Sequence, residues 1–275
     1  MEPVNLYGLG QNFHSGLPFA EKWAIMARYK REGDGLVYVM SDIHGNSRRF
    51  NSILEQINLR PEDTLYVLGD VIDRHGDGIR ILRRLMAMPN AHVLLGNHEY
   101  MMLRALGEAY EPDDMPKPEE ALFHWYRNGG HVTHQYWKRI RKTLRAEIIA
   151  YMRSLPLNYQ VQVGQRHYRL VHGSLPECFD SEQGKYKSPI HYAVWKRLEQ
   201  QDRLPEDQIV IFGHTPTKYY RTADPLQIYH GDGRIGIDCG SGFPDRVEDT
   251  YDLQGRLACL RLDDMREFYS EEMAE

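Results

Sequence analysis

Short apolar runs, bounded by turn-forming residues, most constrain what this chain can fold into. Each run has four or five residues, many of them β-branched or aromatic, which is typical of buried strands. The runs lie at 36–40, 64–68, 92–95, 168–171, 209–212 and 234–237. Helical patterns separate the first three runs, and in one of them Phe50, Ile53 and Ile57 share a face. The alternation predicts βαβ units, whose right-handed crossovers place the carboxyl ends of the strands on one edge.

The segment from 106 to 157 differs from this pattern. It begins with the acidic, proline-rich stretch "EPDDMPKPEE", which is typical of an exposed loop, and continues with long helical periodicity. We interpret it as a mainly helical insertion, or cap, within a core domain spanning residues 36–265. Residues 1–35 are expected to form an N-terminal extension, and residues 266–275 a C-terminal tail.

Composition narrows the class of protein. Of the 275 residues, 41% are hydrophobic and 27% are charged, which is ordinary for a globular protein. The net charge of −5 provides no basic field, so neither a nucleic-acid partner nor a membrane partner is expected. The first residues resemble no secretory signal, and no apolar stretch approaches the roughly 20 residues of a membrane span. Three cysteines without CxxC spacing favour reduced thiols and a cytoplasmic location.

Side chains that can bind metal ions stand just past five of the apolar runs. They are Asp42 and His44, Asp70, Asn97, His172, and His214, in chain order. Each has an ordinary explanation taken alone: Asp42 could cap a helix, Asn97 could support a turn, and His172 could be a buried, hydrogen-bonded histidine. Together they occupy the edge at which open α/β sheets bind ligands, which favours one shared site.

The types of donor indicate the metal and the number of ions. Carboxylate, imidazole and amide groups without thiolate suit Mn²⁺, Fe or Zn²⁺. Six donors are too many for one catalytic ion that keeps open positions, but they suit two ions that share a carboxylate. Asp70 follows the second of the first three runs, so we expect it to be the bridge.

The motifs "DIHG", "GDVIDR", "GNHE", "VHG" and "GHT", in this order, resemble the calcineurin-like metallophosphoesterase superfamily. More narrowly, they resemble its phosphoprotein phosphatase branch in the compact bacterial and phage form. The resemblance spans residues 36 to about 245. It implies an α/β fold of four αββα layers, with a central β-sandwich flanked by helices. It also implies two divalent ions, and Mn²⁺ is the ion we expect. One ion would be held by Asp42, His44 and Asp70. The other would be held by Asp70, Asn97, His172 and His214.

The resemblance implies roles for further residues as well. A metal-bridging hydroxide would attack phosphorus, while Arg74, Asn97 and Arg197 bind the phosphate. His98 would protonate the departing alkoxide, and Asp73 would orient its imidazole.

At three positions an alternative interpretation stays open. Arg197 could belong to a solvated helix face in the charge-rich "WKRLEQQDR", and Asp73 could be a plain turn residue. His75 stands where the family usually has Gly. It is either a rim residue or one that tunes access of the substrate.

The resemblance to the phosphoprotein phosphatase branch favours a serine/threonine protein phosphatase that acts on phosphorylated proteins or small phosphoesters. The alternative is a symmetrical dinucleoside-polyphosphate hydrolase, a type that tends to read "GNHD" and to lack the Asp before the Arg. This chain has Glu99 and Asp73 at those positions. Phosphodiesterase branches usually carry a His where Pro216 stands. A non-catalytic scaffold is disfavoured, because all six donors and His98 are present.

Overall fold

The computed structural model describes residues 26–29, 35–109, 117–182, 184–220, 223–243 and 255–270. Most of the expected N-terminal extension and most of the "EPDDMPKPEE" stretch lie outside these ranges. The described strands are β1 (Met26–Tyr29), β2 (Val37–Met40), β3 (Thr64–Val67), β4 (Ala91–Val93), β5 (Asn158–Val163), β6 (Arg166–Val171), β7 (Ile209–Phe212), β8 (Tyr229–Gly231), β9 (Arg234–Gly236), β10 (Ala258–Arg261) and β11 (Arg266–Tyr269). The described α-helices are α1 (Ser47–Ile57), α2 (Gly78–Met86), α3 (Asn97–Ala105), α4 (Pro118–Arg127), α5 (His131–Trp137), α6 (Lys142–Ser154) and α7 (Pro189–Trp195).

The strands form two mixed sheets. One has the order β11-β10-β2-β3-β4, with β2, β3 and β4 parallel. The other has the order β1-β5-β6-β7-β9-β8, with β6, β7 and β9 parallel. The position of β3 between β2 and β4 is the one expected for the strand that precedes Asp70. The expected α/β fold class is confirmed.

Alternating side chains along β2 explain how the two sheets are covered. Tyr38 and Met40 pack with the apolar faces of α1, α2 and α3. Val37 and Val39 pack instead with residues of the second sheet, including Leu170 on β6. Because successive side chains of a strand point to opposite faces, one side of the first sheet faces helices and the other faces the second sheet. The central β-sandwich that the resemblance implies is therefore present.

The described part of the expected insertion consists of α4, α5 and α6. These helices bury Trp125, Trp137, Ile148 and Met152 in the core that also contains α3. At the other end of the chain, β11 lies in the segment expected to form a tail. Its pairing with β10 adds residues 266–269 to the first sheet.

Two local elements are formed by short-range contacts. The side chain of Asn46 caps α1 by accepting from the Arg49 N–H at 3.1 Å. The stretch around His230 forms the hairpin of β8 and β9. No helix in the part of the chain that the structure describes is long and apolar enough to span a bilayer. The three cysteines are free thiols.

Candidate active site

The six candidate metal donors converge where the carboxyl ends of strands from both sheets meet. Asp42 and His44 follow β2, Asp70 follows β3, and His172 and His214 follow β6 and β7. Asn97 is the first residue of α3. All are buried except His214, which is half-buried. The structure thus brings every one of these residues into one cluster.

Asp70 lies between two groups of donors, and each of its oxygens faces a different group. Its Oδ2 is 3.7 Å from Nε2 of His44, which is also 3.8 Å from Oδ1 of Asp42. Its Oδ1 is 3.5 Å from Nε2 of His172. Oδ1 of Asn97 lies 2.9 Å from Nε2 of His172 and 2.9 Å from Nδ1 of His214. This arrangement is compatible with a carboxylate shared by two ions.

The backbone around the cluster adopts an uncommon conformation. Asp42, His44, Asp70 and His214 have φ values of 54°, 51°, 53° and 62°. Residues other than glycine rarely adopt left-handed backbone, and such residues tend to cluster at functional sites when the surrounding structure holds them there. The two sheets supply that support here, because each of these residues lies within four residues of the end of a paired strand.

The histidines of the cluster are oriented by backbone carbonyls. Nδ1 of His172 lies 2.7 Å from the Leu68 carbonyl oxygen, and Nδ1 of His44 lies 3.2 Å from the Ile72 carbonyl oxygen. When Nδ1–H donates to these carbonyls, Nε2 keeps a lone pair directed at the cluster, as metal-binding imidazoles require. Burial, followed by the neighbouring positive charges, lowers the pKa of His44 and of His214, so both imidazoles are neutral at pH 7.

The carboxylates need compensating positive charge. Burial and the nearby Asp70 raise the pKa of Asp42 to about 6. Burial and Asp42 likewise raise the pKa of Asp238, whose Oδ1 accepts the Gly240 N–H at 2.9 Å. Crowded, buried carboxylates beside neutral imidazoles fit divalent cations, which would neutralise the acidic groups and use the imidazole lone pairs. The donor set is therefore compatible with a dinuclear metal site.

Asp42 is itself held in place on one side only. Its Oδ2 accepts from the Ser41 hydroxyl at 2.5 Å and from the His214 N–H at 3.0 Å. Those two bonds leave Oδ1 facing His44. Ser41 is a contributor that the sequence interpretation did not single out, since a serine before an aspartate carries no recognisable spacing signal.

His98 and Asp73 form a buried pair beside the cluster. Nδ1 of His98 lies 2.7 Å from Oδ2 of Asp73. Its Nε2 lies 3.9 Å from Oδ2 of Asp70 and 3.4 Å from Nη2 of Arg74. Burial lowers the pKa of His98, but Asp70 and then Asp73 outweigh burial and raise it above its ordinary value. Cations at Asp70 would offset the Asp70 contribution and leave that of Asp73. The distances given above show that Nε2, and not Nδ1, is the ring nitrogen of His98 that faces the cluster.

The two candidate phosphate-binding arginines lie at different sides of the cluster. Arg74 is exposed and contacts His98, as described above. Arg197 is also exposed, with its guanidinium 5.4 Å from the ring centroid of Tyr219. The positive charge of Arg197 helps to lower the pKa of His214, although burial and then His172 lower that pKa more strongly.

Glu99 has a structural role that the sequence interpretation missed. Its carboxylate accepts four backbone N–H groups, those of Asp70 at 2.9 Å, Val71 at 2.9 Å, Ile72 at 3.2 Å and Gly96 at 3.2 Å. Burial and Asp70 raise its pKa to about 7, so cations at Asp70 would favour the ionised form that these donors need. The family pattern drew attention to Glu99, but nothing in its spacing indicated an anchor for the Asp70 loop.

A cavity of about 310 Å³ lies among α3, α4 and α7. Arg104, Lys187, His124 and Trp195 are among its lining residues. The Trp195 ring also lies edge-on to the His214 ring, with 5.9 Å between centroids. The cavity therefore adjoins the donor cluster on the His214 side.

Comparison with known proteins gives consistent relatives. Over 213 residues the chain is 29% identical to serine/threonine-protein phosphatase 2 of Salmonella typhimurium, covering 74% of this chain and 87% of that protein. It is 31% identical over 104 residues to the symmetrical bis(5'-nucleosyl)-tetraphosphatase of Erwinia tasmaniensis, covering 33% of this chain and 36% of that protein. A third match, at 27% identity, is to the same enzyme of Acidovorax ebreus, covering 58% of this chain and 52% of that protein.

Solved structures share the fold. A putative diadenosine tetraphosphatase superposes with a TM-score of 0.53 at 17% identity, covering 90% of this chain and 97% of that one. A cold-active protein-tyrosine phosphatase of a Shewanella species superposes with a TM-score of 0.51 at 14% identity, covering 98% of this chain and 89% of that one. The model of the calcineurin-like phosphoesterase family matches residues 35–238, a range that holds all six donors and the His98–Asp73 pair. The chain therefore belongs to the calcineurin-like phosphoesterase family of hydrolases.

Proposed function

We propose that this chain is a metal-dependent serine/threonine protein phosphatase. The observation that carries the proposal is the buried His98–Asp73 pair, with its bond of 2.7 Å and with Nε2 of His98 facing the donor cluster. A proton donor at that position matters most for phosphate esters whose leaving oxygen is strongly basic.

Phosphoserine and phosphothreonine have such a leaving oxygen. As the phosphorus–oxygen bond breaks, its electron pair stays on the side-chain oxygen, which takes the proton from Nε2 of His98. Water supplies the oxygen of the new bond to phosphorus, so the products are the free hydroxyl residue and inorganic phosphate. Asp73 accepts Nδ1–H of the same imidazole and favours its protonated form.

Two divalent ions would polarise the phosphate oxygens and lower the pKa of a shared water. Asp42, His44 and Asp70 would hold one ion, and Asp70 with Asn97, His172 and His214 would hold the other. Mn²⁺ is the expected ion, and the donors also suit Fe or Zn²⁺. Arg74 and Arg197 would bind phosphate oxygens, since a guanidinium can pair with two oxygens at once.

The relatives support the same choice. The match to the Salmonella phosphatase spans 87% of that protein, whereas the matches to the tetraphosphatases of Erwinia and Acidovorax span 36% and 52%. In cleavage of a dinucleoside tetraphosphate the leaving group is a phosphate oxygen, which is weakly basic and needs little protonation. A buried His–Asp pair is therefore better explained by an alkoxide leaving group.

The second candidate function is symmetrical hydrolysis of dinucleoside tetraphosphates. Its support is the recurrence of relatives with that name, together with the cavity at Trp195, where Arg104 and Lys187 could accept further phosphates. The two functions differ in the substrate but share the metal cluster and the two arginines.

A side-by-side assay distinguishes them. The Mn²⁺-loaded chain is given phosphoserine, phosphothreonine and phosphotyrosine peptides and diadenosine tetraphosphate, and the kcat/KM values are compared. We expect the phosphoserine and phosphothreonine peptides to be the better substrates. We also expect His98→Asn to lower kcat on them by about tenfold or more while the bound metal stays near two ions per chain. Cleavage of the dinucleotide alone would remove the protein-phosphatase proposal, and unchanged turnover by His98→Asn would remove His98 from the mechanism.

A further inference from the structure

The helical insertion contacts the turn that carries Asp73 and Arg74 at three points. Nε1–H of Trp125 donates to Oδ2 of Asp73 at 2.8 Å. The Asp73 N–H donates to the Thr133 hydroxyl at 3.0 Å, and the Arg74 N–H donates to the Gly129 carbonyl at 3.2 Å. All three partners come from the stretch "WYRNGGHVT", which runs from the last turn of α4 to the first turn of α5.

Trp125 and His98 share one oxygen of Asp73. Oδ2 accepts from both Nε1 of Trp125 and Nδ1 of His98, while Oδ1 has no hydrogen-bond partner among the described residues. Trp125 and Asp73 are fully buried, and Thr133 is nearly so. Because these side chains are shielded from bulk solvent, the indole N–H can hold the carboxylate in the direction in which it faces the imidazole.

The turn itself needs external support. Asp73 and Arg74 are consecutive residues with φ values of 72° and 67°, a backbone conformation that side chains other than glycine disfavour. Such a conformation persists only where surrounding contacts hold it. The hydroxyl of Thr133 and the carbonyl of Gly129 hold it here, because they accept the N–H groups of these two residues.

Two glycines allow the insertion to approach this closely. Gly129 has φ +95°, and a Cβ there would lie 2.9 Å from Cγ of Arg74. A Cβ on Gly130 would overlap the ring of Trp125. The pair of glycines, which a sequence pattern presents as a simple turn, is therefore required by contact with Arg74 on one side and Trp125 on the other.

We propose that Trp125 and Thr133 are positioning residues for the proton donor of this enzyme. They hold Asp73 so that its carboxylate keeps Nδ1–H of His98 in place and Nε2 directed at the leaving oxygen. The insertion thus completes the acid half of the site through Asp73. This inference rests on the proposed function, in which His98 protonates a basic leaving group.

The consequence is an effect that depends on the leaving group. The alkoxide of phosphoserine must receive a proton as its bond to phosphorus breaks, whereas p-nitrophenolate leaves readily as an anion. Misplacing His98 therefore slows the first substrate more than the second. A general loosening of the fold would slow both substrates alike.

The test compares Trp125→Phe with Trp137→Phe. Trp125→Phe keeps the aromatic packing and removes the N–H. Trp137 is also a buried insertion tryptophan, on α5, and its ring contacts Arg145 rather than the site. We expect Trp125→Phe to lower kcat on a phosphoserine peptide by about tenfold, to lower kcat on p-nitrophenyl phosphate by about twofold at most, and to leave KM unchanged. Trp137→Phe should show no such difference between the two substrates.

Two further variants keep the inference falsifiable if Trp125→Phe folds poorly. Thr133→Val preserves shape and removes the acceptor for the Asp73 N–H, so it should reproduce the selective loss on phosphoserine. Adding Trp125→Phe to Asp73→Asn should lower kcat no further, because the indole acts through that carboxylate.

Equal losses on both substrates for Trp125→Phe and Thr133→Val would overturn the inference, and so would a selective loss in Trp137→Phe. Failure of the proposed function has a different signature, because the unmodified chain would then hydrolyse p-nitrophenyl phosphate but no phosphopeptide.

Discussion

Glu99 and Asp70 are joined directly, since Oε2 of Glu99 accepts the backbone N–H of Asp70 at 2.9 Å. Oε1 of the same carboxylate accepts the N–H groups of Val71 and Ile72 at 2.9 and 3.2 Å. Glu99 lies on α3, two residues after Asn97, so this carboxylate ties the loop of Asp70 to the helix that supplies another candidate donor. We therefore expect the spacing of Asp70 and Asn97 to depend on Glu99.

Replacing Glu99 with Gln is expected to weaken metal binding. The amide that replaces one oxygen would direct its own hydrogens at backbone N–H groups and leave them unsatisfied, at a cost of about 1–3 kcal/mol in the free energy of unfolding. Urea unfolding of the metal-free chain and a titration with Mn²⁺ measure the two effects. Glu147→Gln, at an exposed position on α6, is the matched control. If Glu99→Gln binds Mn²⁺ as tightly as the unmodified chain, Glu99 does not set the geometry of the cluster.

Removal of one carboxylate should distinguish a bridge from a simple ligand. Because the two oxygens of Asp70 face different donor groups, we expect Asp70→Asn to lose both ions, whereas Asp42→Asn should retain the ion at His172 and His214. A chelator should abolish turnover by the unmodified chain, and added Mn²⁺ should restore it. Metal analysis of the purified variants gives the number of ions per chain. Retention of one full ion by Asp70→Asn would contradict the bridging assignment.

The parts of the site that could be predicted are those with a local signal. Asp42 and Asp70 each follow a strand-length apolar run, and the parallel pairing of these two strands brings their carboxyl ends to one edge. His172 also follows such a run, but its strand lies in the other sheet, so the packing of the two sheets brings it to the cluster. The supporting contacts have no such signal. Trp125 reads as an ordinary core residue of an amphipathic helix, and only tertiary packing places its N–H on Asp73, far away in the sequence.

The same distinction applies to the sheets. The hairpin of β8 and β9 was predictable because a Gly-Asp-Gly turn joins adjacent strands. The antiparallel pairing of β10 with β2 was not, because it joins opposite ends of the chain and no turn fixes its register.

Asp63 should make folding stability depend on pH. Its buried side chain accepts the N–H groups of Leu36 and Arg60 and two bonds from the Arg60 guanidinium, fixing the segment before β2 against the turn before β3. Burial raises the pKa of Asp63, but the bonds from Arg60 and Leu36 outweigh burial and lower it below its ordinary value of 3.8. Its stabilising contribution is therefore present above that value and is lost as the pH falls through the lower folded-state pKa.

We expect Asp63→Asn to lower the free energy of unfolding by about 1–3 kcal/mol at neutral pH, and the difference from the unmodified chain to shrink at pH values below about 4. Urea unfolding of both chains in chelator, across that range, measures the difference while the contribution of the metal cluster cancels. Asp207→Asn, at an exposed site, is the matched control. A difference that stays constant down to the acid limit would mean that packing, not ionisation, is what Asp63 contributes.

Arg197 offers a direct test between a phosphate-binding role and that of an ordinary solvated surface residue. It lies two residues beyond the end of α7, so the helix face expected from the sequence does not extend to it. Its guanidinium lies over the Tyr219 ring, which restrains a side chain that is otherwise exposed, and its charge reaches His214. If it pairs with two phosphate oxygens, Arg197→Lys keeps the charge but loses the forked geometry, so KM for a phosphopeptide and the inhibition constant of inorganic phosphate should both rise by about tenfold. Arg203→Lys, an exposed change a few residues away, is the matched control. Should Arg197→Lys and Arg197→Ala both bind phosphate as the unmodified chain does, Arg197 is a surface residue that takes no part in holding the substrate phosphate.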